Sequence, residues 1–158
     1  METAVKYEVK EMTWPGKTFV TKRATLPFDK MSEFFSRSYG EIYKVLNKSQ
    51  VAPSEMPCAI YYSVDPVRGE TDFAVAVPVQ GTLYGLTGMS QVHIPRGRAL
   101  VVNYVGPYEG MREAYDSLEK YLHAHQLSKE WTLEEYHSDP SVEKDPSQWK
   151  TNIYFILK

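Results

Sequence analysis

Residues 131–140, with the sequence WTLEEYHSDP, combine the aromatic and acidic side chains that suit binding of an organic cation. Successive side chains of a strand point to opposite faces, so Glu134 and Tyr136 are predicted to share one face. Leu133 belongs to the other face, which we interpret as directed into the core. Glu134 and Tyr136 are therefore the first candidates for contact with a ligand.

A turn signal of this stretch occurs twice in the chain. The pattern Tyr-x-x-Asp-Pro runs from Tyr62 to Pro66 and again from Tyr136 to Pro140. These two tyrosines are 74 positions apart (136 − 62), whereas two other pairs lie 80 positions apart (107 − 27 and 151 − 71), namely Pro27 with Pro107 and Thr71 with Thr151, a difference that insertions in loops produce. Recurrence at a fixed spacing is typical of an internal repeat. We predict that the chain is duplicated and that Tyr62 and Tyr136 occupy equivalent positions at one cleft.

In the predicted last strand, apolar side chains alternate with Asn152 and Tyr154, which are left on the face away from the core. Under the repeat equivalence, Glu134 is expected to lie among Tyr62, Tyr136 and Tyr154. Aromatic ring faces attract positive charge, and a partly desolvated carboxylate compensates it. The predicted ligand-binding residues are Tyr62, Trp131, Glu134, Tyr136, Asn152 and Tyr154.

The same residues also suit catalysis. Burial raises the pKa of a carboxyl group, and a protonatable Glu beside a Tyr can perform general acid–base chemistry on a bound molecule. If the protein is an enzyme, its catalytic residues are expected to be Glu134, Tyr136 and Tyr154, with Trp131 as an aromatic wall. The residue pattern leaves ligand binding and catalysis both open.

Other kinds of site lack support in the sequence. His123 and His125 are two positions apart on a predicted helix and point to different sides, so they cannot chelate one metal ion. Gly81, Gly85 and Gly88 lack the spacing of a dinucleotide-binding loop. We expect no metal and no cofactor.

The chain has 158 residues and a formal net charge of −2, with charges of both signs interspersed. A nucleic-acid-binding surface needs concentrated Lys and Arg, so direct nucleic-acid binding is not expected. The single Cys58 excludes an intramolecular disulfide, and the first residues lack the profile of a signal peptide. No apolar run has membrane-spanning length, and we predict a cytoplasmic protein.

Two stripes of apolar side chains at helical spacing predict helices over residues 28–46 and 108–122. Each helix is preceded by a β-rich run and followed by two more, which gives strand, helix, strand, strand in each repeat. The predicted fold class is α+β, with antiparallel sheets, both helices on one face and a ligand cleft between the repeats. The expected single domain is 1–158, with repeats over 15–80 and 96–158 and a linker over 80–95.

Four segments of the second half carry a family resemblance: NYVGPYEGM at 103–111, LEEYHSDP at 133–140, DPSQW at 145–149 and TNIYF at 151–155. Together they resemble the GyrI-like effector-binding family, and DFAVAVPV at 72–79 extends the match loosely into the first half. The resemblance implies tandem strand-helix-strand-strand repeats that bind small molecules. Such domains often follow a helix-turn-helix domain in regulators of AraC or MerR type. This chain is expected to act as a stand-alone module.

The resemblance assigns the family's ligand-facing Glu to Glu134 and the aromatic residue of its last motif to Tyr154. Asn152 stands where many members carry a second Glu, which implies weaker selectivity for dications. The expected ligand is an aromatic molecule that is cationic or amphipathic, such as a drug or toxin that is sensed or sequestered. Some family members hydrolyse reactive electrophiles, and a namesake acts on DNA gyrase. Hydrolysis and a protein partner are therefore kept as alternatives.

Overall fold

The computed structural model describes residues 7–139 and 141–158 and divides the chain into two compact units. The amino unit is Gly16–Pro95, and the carboxyl unit combines the residues up to Pro15 with Arg96–Lys158. The helices are α1 (Met31–Lys48) and α2 (Met111–Ala124). The strands are β1 (Lys10–Trp14), β2 (Lys17–Pro27), β3 (Cys58–Asp65), β4 (Glu70–Val79), β5 (Ser90–Ile94), β6 (Gly97–Val105), β7 (Lys129–Tyr136) and β8 (Lys150–Leu157).

The amino unit packs α1 on one face of an antiparallel sheet with the strand order β5-β2-β4-β3. Strand β4 alternates bulky and small side chains, and its bulky residues Phe73 and Val75 pack in one cluster with helix residues. The helix contributes Phe34, Ile42 and Leu46, whose spacing places them on one side of α1. Removal of this apolar surface from water stabilises the unit.

The carboxyl unit repeats this plan with α2 on an antiparallel sheet of strand order β1-β6-β8-β7. Helix residues Met111, Ala114 and Leu118 pack in one cluster with Ile153 and Phe155 of β8. Because side chains alternate along β8, the residues between these two belong to the opposite face of the sheet. We call that opposite face the distal face, and the face of the amino sheet opposite α1 is likewise its distal face.

The first strand of each repeat pairs out of chain order. Strand β1 precedes β2 but pairs with β6, whereas β5 precedes β6 but pairs with β2. Pro15 and Pro95 directly follow β1 and β5, and a Pro lacks the N–H needed to continue a ladder. Strand β5 lies within residues 80–95, the segment predicted as a linker.

The predicted α+β fold with a duplicated strand-helix-strand-strand plan is confirmed. Helices α1 and α2 begin 80 positions apart (111 − 31), and each follows a single 3-10 turn, Phe28–Lys30 or Tyr108–Gly110. The predicted helices, 28–46 and 108–122, thus included these 3-10 turns at their starts. The proposed cleft between the repeats stays a prediction.

Gly110 should be intolerant of a side chain. Tyr104 is 3% exposed, and its Oη donates a hydrogen bond of 2.6 Å to the carbonyl of Pro107. A Cβ at Gly110 would overlap this hydroxyl, so Gly110→Ala must displace the buried ring. We expect a loss of about 1 kcal/mol in the free energy of unfolding, measured by urea denaturation.

Gly40→Ala is the matched control for this substitution. Gly40 lies inside α1, and a Cβ there meets no atom within 4 Å. Ala is the better helix former, so Gly40→Ala should raise the free energy of unfolding by up to about 1 kcal/mol. A Gly110→Ala protein as stable as the wild type would contradict the close packing of Tyr104.

Candidate ligand site

The register between β7 and β8 determines which acidic side chain faces away from α2. Residues directly opposite each other in an antiparallel ladder lie on the same face. Glu134 pairs with Ile153, which packs against α2, whereas Glu135 pairs with Asn152. Leu133 pairs with Tyr154. The distal face of the carboxyl sheet therefore presents Glu135 beside Asn152 and Tyr154.

The predicted placement of Glu134 beside Tyr154 is wrong. Leu133 was interpreted as directed into the core, and it is fully buried, but it lies on the distal face and not on the helix side. Both faces of this sheet bury apolar side chains, so one Leu does not identify the helix side. When the assignment of faces is shifted by one residue, Glu135 and not Glu134 is the acidic residue on the same face as Tyr154. Of the other predicted residues, Tyr136 shares the helix side with Glu134, and Trp131 lies on the distal face.

Glu135 is almost completely buried, with 4% of its surface exposed. Its Oε1 accepts a hydrogen bond of 3.2 Å from Asn152 Nδ2 and one of 3.3 Å from Tyr154 Oη. His137 Nε2 lies 2.5 Å from the same oxygen, at the more exposed edge of the site. Buried carboxylates are costly unless they are hydrogen-bonded and their charge is compensated. This arrangement therefore holds a buried carboxyl group at a fixed position through three polar contacts.

A chain of polar contacts across the sheet orients Asn152. Lys10 Nζ on β1 donates to Asn103 Oδ1 on β6 at 3.3 Å, and Asn103 Nδ2 donates to Asn152 Oδ1 at 2.7 Å. With its oxygen engaged by Asn103, Asn152 presents its amide N–H groups toward Glu135. The contacts run through β1, β6, β8 and β7 in the order of the sheet. Lys10 and Asn103 were not predicted, because neither carries a local signal for this role.

Aromatic side chains accompany the carboxylate on the distal face. The rings of Trp14 and Tyr154 meet edge to face, with centroids 5.3 Å apart and planes at 68°. Trp131 pairs in register with Ile156 on the same face and is partly buried. Trp14 was missed by sequence reasoning, because only the pairing of β1 with β6 brings it to β8. A largely buried cluster of aromatic and acidic side chains is therefore present within the carboxyl unit.

Glu134 faces the helix side of the sheet instead. It is 7% exposed and accepts hydrogen bonds from Tyr115 Oη of α2 and, at 2.7 Å, from Tyr136 Oη. Burial raises the pKa of the Tyr108 phenol, and the nearby charge of Glu134 raises it further. The predicted catalytic set of Glu134, Tyr136 and Tyr154 is therefore divided between the two faces of the sheet.

Tyr62 is not the equivalent of Tyr136, and that prediction is also wrong. In the amino unit Tyr61 pairs with Phe73 and Ser63 with Asp72, so Tyr62 is the extra residue of a β-bulge. Its ring contacts Arg23, which lies on the distal face of the amino sheet, whereas Tyr136 lies on the side of α2. The motif Tyr-x-x-Asp-Pro thus occurs at different registers in the two repeats.

Two other features, a metal site and a membrane-spanning helix, can be checked over the residues that the structure describes. Over residues 7–139 and 141–158, no cluster of three or more His, Cys, Asp or Glu side chains has a geometry suited to a metal ion. Within these same ranges, no helix is both long enough and apolar enough to cross a membrane.

Comparison with known proteins identifies relatives of this fold. The family model of the GyrI-like small molecule binding domain matches residues 7–158. The EcmrR chain in a DNA complex is 18% identical with a TM-score of 0.85, and the match covers 98% of this chain and 59% of that one. The chain thus spans less than two thirds of that EcmrR chain.

Two further solved structures match along most of their length. The EcmrR C-terminal domain is 20% identical, with 97% and 98% of the two chains covered and a TM-score of 0.77. SAV2435, solved with bound tetraphenylphosphonium, is 13% identical, with 96% and 94% covered and a TM-score of 0.68. At these identities the likeness concerns the fold. No curated protein sequence gives a significant match.

Proposed function

Because the chain belongs to the GyrI-like small molecule binding domain family, we propose that it binds an aromatic cation at Glu135 on the distal face of the carboxyl sheet. The buried carboxylate of Glu135, held beside Tyr154, is the observation that carries this proposal. Asn152 and Tyr154 donate hydrogen bonds to the carboxylate, and His137 Nε2 lies 2.5 Å from it. A cation that binds beside the ionised carboxylate would be attracted strongly, because the buried setting has a low dielectric.

The aromatic side chains indicate that the ligand carries aromatic groups in addition to its positive charge. Tyr154 contacts the carboxylate through its hydroxyl, its buried ring meets the buried ring of Trp14, and Trp131 adds a third, partly buried ring on the same face. A ring face attracts a cation, and burial of an aromatic ligand against these rings removes apolar surface from water. The site therefore favours molecules that combine a delocalised positive charge with aromatic groups. SAV2435, a relative in fold, was solved with such a molecule, tetraphenylphosphonium.

A pair of probes with matched shape tests the proposal. Tetraphenylphosphonium and tetraphenylborate have the same arrangement of four phenyl groups but opposite charge. Calorimetric titration of the full chain should give saturable binding of the cation and at least about tenfold weaker binding of the anion, because Glu135 repels it. Equal affinity for both would indicate a purely apolar site, and absence of cation binding would overturn the proposal.

Hydrolysis is a second candidate because the contacts of Glu135 suit proton transfer. Tyr154 Oη and His137 Nε2 both lie within hydrogen-bonding distance of its carboxylate, so a base and two further proton-transfer groups are adjacent. Incubation with strained-ring alkylating agents, followed by mass spectrometry, should show a product heavier by one water if the site is catalytic. Recovery of intact reagent with wild-type protein would leave binding alone.

A further inference from the structure

A built-in cation lies on the distal face of the amino unit. Arg23 of β2 donates two hydrogen bonds to Asp72 of β4, with Nε to Oδ1 at 2.9 Å and Nη2 to Oδ2 at 2.8 Å. The guanidinium carbon also lies 3.7 Å from the centroid of the Tyr62 ring. One cation is therefore held by a carboxylate and an aromatic face together, which is the combination that recognises organic cations.

Tyr62 lies at an irregularity in the backbone of β3. Tyr62 is the extra residue between Tyr61 and Ser63, and a bulge re-aims the side chain that it carries. Without the bulge, the ladder would place Tyr62 opposite Asp72 as an ordinary member of the strand, and Ser63 would move to the helix side. The local irregularity thus keeps Ser63 paired with Asp72 while the aromatic ring of Tyr62 reaches the guanidinium.

The two repeats carry their distal carboxylates on different strands. Asp72 and Asn152 are 80 positions apart and pair with Ser63 and Glu135, respectively. The carboxyl unit therefore places its carboxylate on β7, while the amino unit places one on β4 and supplies its own cation. Arg23 and Asp72 stabilise each other's charged form. The hydrogen bond between them raises the pKa of Arg23 and lowers the pKa of Asp72.

We propose that Tyr62 and Asp72 form a second cation subsite, which Arg23 occupies as a tethered ligand and which accepts alkylguanidinium or arylamidinium groups when Arg23 leaves. Exchange is feasible because the side chain of Arg23 is 55% exposed, and exposed ion pairs are weakly held. The planar fork of a guanidinium matches both the bidentate carboxylate and the ring face. Arg23 therefore limits access of external cations to Tyr62, one of the residues predicted to bind ligand.

Chemical rescue of an Arg23→Ala protein tests this subsite. Ethylguanidinium reproduces the end of the missing side chain, and its binding can be followed by NMR of the Tyr62 ring carbons. The full-length Arg23→Ala protein should bind it saturably, about fivefold or more tightly than the wild type, because Arg23 no longer competes. Asp72→Asn in the Arg23→Ala background should remove this gain, because the bidentate carboxylate is lost.

Two controls separate the subsite from general effects of charge. Arg68 carries an exposed guanidinium that lies 3.9 Å from Glu70, and Arg68→Ala should leave the response of the Tyr62 signals to ethylguanidinium as weak as in the wild type. Arg23→Lys keeps a tethered cation and should bind less of the probe than Arg23→Ala. An Arg23→Ala protein whose Tyr62 signals do not saturate would overturn the proposal. Glu135→Gln should not change the result, so failure here is distinct from failure of the carboxyl site.

Discussion

Replacing Glu135 with Gln should weaken binding of tetraphenylphosphonium by about 10- to 100-fold, the effect of removing one buried negative charge near a cation. Gln has nearly the same shape as Glu, so the aromatic contacts of Tyr154 and Trp14 are retained. The loss should therefore appear as a change in dissociation constant with unchanged stoichiometry. Calorimetric titration at constant pH and ionic strength measures it.

Glu134→Gln provides the control for this experiment, because the two residues are adjacent in β7 but face opposite sides of the sheet. The charge change is identical, and the amide that replaces the Glu134 carboxylate would keep an oxygen that accepts from Tyr115 or Tyr136. Affinity for tetraphenylphosphonium should stay within about twofold of wild type, since the charge is screened by the sheet and by greater distance. If Glu134→Gln abolished binding and Glu135→Gln did not, the ligand would lie on the side of α2.

Replacing Glu134 with Ala should destabilise the fold by about 2 to 5 kcal/mol. Two tyrosine hydroxyls, those of Tyr115 and Tyr136, would lose a buried acceptor, and the removed side chain would leave a cavity between β7 and α2. Urea denaturation followed by far-ultraviolet circular dichroism gives the change in free energy of unfolding.

Glu130→Ala, on the same strand but exposed, is the reference for this loss. Its free energy of unfolding should lie within about 0.5 kcal/mol of wild type, as is usual for surface substitutions. An equally small effect of Glu134→Ala would show that the tyrosine hydroxyls find other acceptors, and the structural role assigned to Glu134 would then be wrong.

Much of the fold follows from periodic signals in the sequence. The 80-residue offset predicted the duplication, and helices α1 and α2 begin at positions related by this offset. Apolar stripes at helical spacing predicted both helices because each packs against one sheet face. The exchange of β1 and β5 could not be predicted in the same way, since a strand carries no local signal for a partner about 90 residues away.

The site was harder to predict because it depends on register. Bulges occur between Tyr61 and Ser63 in one repeat and between Lys129 and Trp131 in the other, at positions that are not equivalent. A one-residue shift moves a side chain to the opposite face, so aligning Tyr62 with Tyr136 gave the wrong face for one of them. The alternation of β8 was predicted correctly, because Ile153, Phe155 and Leu157 form an apolar face that leaves Asn152 and Tyr154 on the other one.

A crystal structure of the full chain with tetraphenylphosphonium tests the central claim most directly. We expect the phosphorus to lie nearer to the carboxylate of Glu135 than to any other carboxylate, with phenyl groups against Tyr154 and Trp14. Such a cation needs contact with ring surface and with compensating negative charge, and the distal face of the carboxyl sheet provides both. Density for the ligand beside Glu134 and Tyr136, or at a position where Glu135 makes no contact, would contradict this account.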